Sequence, residues 1–199
     1  MSIEPSTKRP PPQFDHGPYW FMVIALIFAV GMAGTTLPTP IYPLYQQHLG
    51  LSNLMVAVIF ATYAFGVLGA LIFTGPWSDQ VGRRPMLTAG LLCSVASSLL
   101  FLLGGALWVL LLGRALSGLS AGLFTATATI AVIELAPAGR KTGAAMVAAA
   151  ANMGGLGLGP LLTGVISQYL PWPLHLVYLV HLMLLVVAGG VLLFCPETV

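Results

Sequence analysis

Long apolar runs separated by short polar breaks dominate the chain, with little of the regular apolar-polar alternation that a water-exposed helix or strand carries. The runs predict six helices near residues 19–42, 52–76, 85–105, 107–134, 142–168 and 174–195. Each has at least the roughly 20 residues that an α-helix needs to cross a bilayer. Residues 1–18 are polar and proline-rich and hold Glu4, Lys8, Arg9 and Asp15. That composition buries too little surface to fold, so a short disordered cytoplasmic tail is expected there, ahead of a bundle over 19–199. The first run has full spanning length, which favours a retained anchor over a cleaved signal peptide.

Composition strengthens this pattern. Hydrophobic residues make up 58% of the 199 and charged residues 6%, and the mean hydropathy is +0.96. Such a chain has too few polar groups to cover a water-facing surface, whereas in lipid an apolar exterior is stable and helices satisfy the backbone internally. The expected fold class is therefore an all-α integral membrane bundle with the lipid bilayer as its first partner. A net charge of +2, with no basic stripe, excludes nucleic acid as a partner. Cys93 and Cys195 lie far apart in apolar runs. No metal-ligand spacing surrounds either, so no metal and no cofactor is expected.

The few charges set the orientation. Lys8, Arg9, Arg83, Arg84, Arg140 and Lys141 fall on one side of the six helices, and no Lys or Arg lies in a loop on the other. By the positive-inside rule both termini are expected in the cytoplasm of a multi-pass cell (plasma or inner) membrane protein. Tyr19, Trp20, Tyr42, Tyr45, Trp77, Trp108, Tyr169 and Trp172 sit at predicted helix ends, where amphipathic rings anchor at headgroup depth. Gly118 and Gly122 in helix four, and Gly155 and Gly159 in helix five, repeat at four-residue spacing that lets backbones approach. Helices two and five are both glycine-rich, carry a Gly-Pro pair and run in opposite senses, as a 3+3 inverted repeat requires.

One segment carries a specific signal. Gly75, Asp79, Gly82, Arg83 and Arg84, in GPWSDQVGRRP between helices two and three, fill every fixed position of G-x-x-x-D-x-x-G-R-[RK]. This resembles the signature of the major facilitator superfamily (MFS), and Glu134 with the following LAPAGRK resembles that family's loop after helix four. The resemblance implies an N-terminal six-helix half of a secondary transporter. It also implies a conformational latch of Asp79, Arg83 and Glu134 against a helix of the other half. Arg114-Ala-Leu-Ser117-Gly118 resembles the R-x-x-Q-G motif of drug:proton antiporters, with Ser117 in place of glutamine. Gly155 to Gly164 resembles their G-x-x-x-G-P-x-x-G-G, with Thr163 in place of one glycine and Pro160 retained. Pro196-Glu197-Thr198 is similar to the tripeptide with which many members leave helix six.

Arg114 is the one charge deep inside a predicted helix. Either it faces the interior or an aqueous cavity, or it snorkels to the outer headgroups. Thr35, Thr39, Tyr42, Tyr63, Thr125 and Asn152 join it as polar candidates for a cavity lined by helices one, two, four and five. Helix one holds no acid between Tyr19 and Tyr45, the usual place for a coupling carboxylate. His181 is either a proton carrier or an interior polar contact. The G-x-S-x-G match at Gly118 to Gly122 lies within a spanning helix rather than at a strand-to-helix elbow, and no paired carboxylates support an enzyme. The expectation is efflux of small neutral or amphipathic substrates by alternating access, coupled to protons or to another gradient. Sugar or metabolite uptake, and a module incompetent for transport by itself, stand as alternatives. The expected partner is a second six-helix half or a homodimer copy.

Overall fold

The computed structural model describes residues 19–137 and 139–195, and for residues 73–80 the backbone only. The expected tail and the Pro196-Glu197-Thr198 exit lie outside the described residues. Among the described residues the fold is wholly helical: α1 (Trp20–Thr36), a 3-10 turn (Thr39–Ile41), α2 (Tyr42–Leu49), α3 (Asn53–Val81), α4 (Arg83–Leu103), α5 (Leu107–Glu134), α6 (Lys141–Tyr169) and α7 (Pro173–Leu192). Among the described residues, six spans are long and apolar enough to cross a membrane, the first being α1, the turn and α2 together.

Two stretches correct the sequence-based boundaries. The first span does not end near 42; it continues to Leu49, broken at residues 37–41. Pro38 and Pro40 cause the break, because neither can donate an amide to the carbonyl four residues back. Tyr42 and Tyr45 consequently lie inside the bundle, 3% and 2% exposed, instead of anchoring in headgroups. The GPWSDQVGRRP segment is likewise not an extended loop. α3 runs through Val81 and α4 starts at Arg83, so Gly75 and Asp79 sit on helical backbone. The reversal is made at Gly82 alone, with φ 101° and ψ 159°, a conformation that essentially only glycine adopts. Charge marks where a chain leaves the hydrocarbon, not where its hydrogen-bonded helix stops. Tyr19, Trp108, Tyr169 and Trp172 are exposed, as ring anchors require.

α5 is the hub: 61% of its most apolar stretch is buried, against 11% for α3 and 17% for α6. The main core joins Ile24 and Phe28 of α1, Leu87 of α4, Phe124 of α5 and Leu185 of α7. Glycine seams fix the two closest helix pairs. A Cβ on Gly118 would lie 3.0 Å from Cα of Gly66 on α3, and one on Gly122 would lie 2.9 Å from the Val67 carbonyl. On the other side of the bundle, a Cβ on Gly155 would lie 2.8 Å from Met32 Cβ of α1, and Gly159 packs on Ala33 and Thr36. Thus α5 packs on α3 as α1 packs on α6, the exchange expected of an inverted repeat of three helices. Gly164 does not share this role, since nothing lies within 4 Å of where its Cβ would be. Five residues beyond Gly159, at roughly 100° per residue, it has rotated off the packed face. Pro160 is half-buried inside α6.

Candidate functional site

Arg114 is 1% exposed, roughly 10 Å into α5 from Leu107 at a rise of about 1.5 Å per residue. Its Nη1 donates to the Thr35 carbonyl at 2.6 Å and its Nε donates to the Tyr42 hydroxyl. The guanidinium lies 5.1 Å from the ring centre of Tyr42, 5.4 Å from Phe60, 5.6 Å from Tyr63 and 5.9 Å from Phe101. Arg114 therefore does not snorkel. Among the described residues no carboxylate pairs with it, and Nη2 has no hydrogen-bond partner. Its counter-charge is the C-terminal end of α1, where unpaired carbonyls carry the negative pole of the helix dipole. Two charge-assisted bonds at roughly 1.5–3 kcal/mol each are comparable with the roughly 2.5–3.5 kcal/mol that insertion scales assign to a mid-helix arginine. The aromatic faces add further stabilisation to the cation.

The structure thus brings four of the cavity candidates together: Arg114, Thr35, Tyr42 and Tyr63. Thr35 serves through its carbonyl, its own hydroxyl being turned back to Met32 O at 2.7 Å. Thr39 is exposed in the break. Thr125 lies roughly 16 Å further along α5, half-buried. Asn152 is half-buried on α6, its Oδ1 without a partner among the described residues. Ser117, where the antiporter motif has glutamine, is 2% exposed and its hydroxyl also lacks a partner there. Phe60 and Phe101, which complete the box around Arg114, carry no signal in the sequence, because only the folded bundle sets their helices beside α5.

A second polar centre closes the opposite end of the bundle. Arg83 Nε donates to Glu134 Oε2 at 3.2 Å and Nη2 donates to Oε1 at 3.1 Å. An arginine at the start of α4 and a carboxylate at the end of α5 each oppose their own helix dipole, and the bidentate pair offsets both. Arg84 Nη2 donates to the Leu193 carbonyl, capping α7. The side chain of Asp79 lies outside the described residues.

His181, 1% exposed, is an interior contact. Its Nε2 faces the Val30 carbonyl at 3.1 Å and its Nδ1 faces Ser98 Oγ at 2.9 Å. Since a carbonyl only accepts, Nε2 carries the proton and Nδ1 accepts from the serine, which satisfies a neutral ring. Gly34 makes room for that ring.

Six spanning helices around a buried arginine, with glycine-lined seams, define a polytopic α-helical membrane protein. The family model of the Major Facilitator Superfamily matches residues 21–199, and the chain belongs to that superfamily. Among curated proteins, it is 30% identical over 177 residues to the inner membrane transport protein YnfM of Escherichia coli K12, covering 85% of this chain and 40% of that one. It is 30% identical over 150 residues to the class E tetracycline resistance protein of Escherichia coli, covering 74% and 36%. It is 26% identical over 168 residues to MdtD of Escherichia coli O17:K52:H18, described as a candidate multidrug resistance protein, covering 84% and 35%. The chain spans two fifths or less of the length of these relatives.

Proposed function

We propose that these six helices form one half of a secondary transporter that moves small neutral or amphipathic compounds out of the cell by alternating access. The observation that carries the reading is Arg114: a buried charge in a spanning helix, held by a helix end and aromatic rings, is costly and marks a transport path. Efflux is favoured because two similar proteins are named for drug or tetracycline resistance. Protons are the proposed coupling ion. The other half faces α3 and α6, whether it belongs to the same polypeptide, another chain or a second copy. Asp79, Arg83 and Glu134 form the cytoplasmic latch, and both termini lie in the cytoplasm of the inner membrane.

Flux in proteoliposomes containing the assembled protein tests this. Wild type should show saturable movement of a lipophilic dye or tetracycline in exchange for protons entering down an imposed gradient, and Arg114→Ala should lower it at least tenfold with insertion unchanged. Equal flux in the two would remove Arg114 from the mechanism. Uptake of a sugar with no response to the dye would replace efflux by import.

A further inference from the structure

The break in the first span is gripped by α6 through two hydroxyls. Thr163, 0% exposed, donates from Oγ1 to the Leu37 carbonyl at 2.9 Å, and Thr36 Oγ1 reaches back to the Leu156 carbonyl at 3.0 Å. Gly159 lies between them on the same face of α6, so close to Ala33 and Thr36 that a side chain there has no room. The grip matters because of what flanks the break. Thr35 precedes it and Tyr42 follows it, and these supply both hydrogen bonds of Arg114. With Pro38 and Pro40 unable to donate amides, the backbone at 37–41 has lost part of its own ladder and takes its shape from neighbouring helices.

We propose that Thr163 is a positioning residue for the arginine site: its hydroxyl fixes the path of the break, and the break in turn sets the distance between the Thr35 carbonyl and the Tyr42 hydroxyl that Arg114 spans. The inference rests on the transporter reading only for its consequence in flux; the mechanical coupling stands apart from it. Thr163 occupies a place where the resembled motif has glycine, so the hydroxyl is a feature of this chain rather than of the motif.

Hydrogen exchange on the assembled protein in lipid nanodiscs, read by mass spectrometry over residues 34–45, tests the coupling without requiring transport. Thr163→Val keeps the shape and removes the hydroxyl; it should speed exchange in that segment about fivefold, and Thr163→Ser should restore the wild-type rate. Tyr42→Phe should give a similar rise, and the double variant should exceed neither single variant by more than about twofold. An unchanged rate in Thr163→Val, a rise spread over all six spans, or effects that multiply in the double variant would each overturn the proposal. If exchange behaves as expected while no variant of the assembled protein transports any substrate offered, the positioning role stands and the transporter reading fails.

Discussion

At the residue scale the informative feature is how Arg114 is neutralised. A lysine at this position would keep the charge, but its point-like ammonium cannot reach a carbonyl and a hydroxyl in one plane as the guanidinium fork does. Arg114→Lys is therefore expected to insert normally, yet to lose one of the two contacts and to cut flux about tenfold in the proteoliposome assay. Retained flux would show that charge alone suffices. Arg83 makes a different prediction, because it is buried while Glu134 is partly exposed. Glu134→Gln removes the charge from the bidentate pair with Arg83 and should destabilise the bundle by about 1–2 kcal/mol, discounted for solvent at the exposed partner. The check is reversible unfolding in mixed micelles, where no change in midpoint would make the pair an incidental surface contact. Arg114 stood out in the sequence as an isolated intramembrane charge. Tyr42, Tyr63 and Thr35 were among its polar candidates, but the way Thr35 serves was not legible, since the contact is a backbone carbonyl and a carbonyl has no letter.

At the scale of the elements, glycine spacing and helix face together decide which glycines matter. Gly118, Gly122, Gly155 and Gly159 each meet a neighbouring helix closely, whereas Gly164, from the same motif, faces open space. Gly159→Ala should cost about 1–3 kcal/mol by forcing α6 away from α1, while Gly164→Ala should stay within about 0.5 kcal/mol. Thermal unfolding of the two variants side by side is the measurement; equal losses would mean that α6 packs on a different face. Four of the helix spans were legible to within a few residues, because apolar length tracks the hydrocarbon. The first and second were misjudged at their ends for opposite reasons. Prolines allowed a broken span to be read as finished, and charges made a continuing helix look like a loop.

For the whole molecule, exposure of α3 and α6 is the feature with the widest consequence. Phe65 on α3 and Met153 on α6 are 74% and 67% exposed, and so is Val186 on α7 at 71%. If a second bundle covers the α3 and α6 face in the assembled protein, cysteines at 65 and 153 should label with a lipid-phase maleimide at least tenfold more slowly than one at 186. Equal rates at all three would place that face in lipid and defeat the two-half arrangement. Orientation has its own test: a cysteine replacing Gly139 should be protected from an impermeant reagent added outside intact cells, and one replacing Gln47 should react. The reverse pattern would invert the topology. Sequence by itself determined the solvent, the number of spans and the family signature, because hydropathy and the Asp79 to Arg84 segment are properties of contiguous residues. Only the tertiary structure decided that Arg114 is held by the end of α1 and an aromatic box, that the Arg83–Glu134 pairing implied by the resemblance is bidentate, and that Thr163 grips Leu37 through its carbonyl. Each of these joins residues far apart in the chain, several through backbone carbonyls, and helix packing alone sets the rotations that bring them within bonding distance.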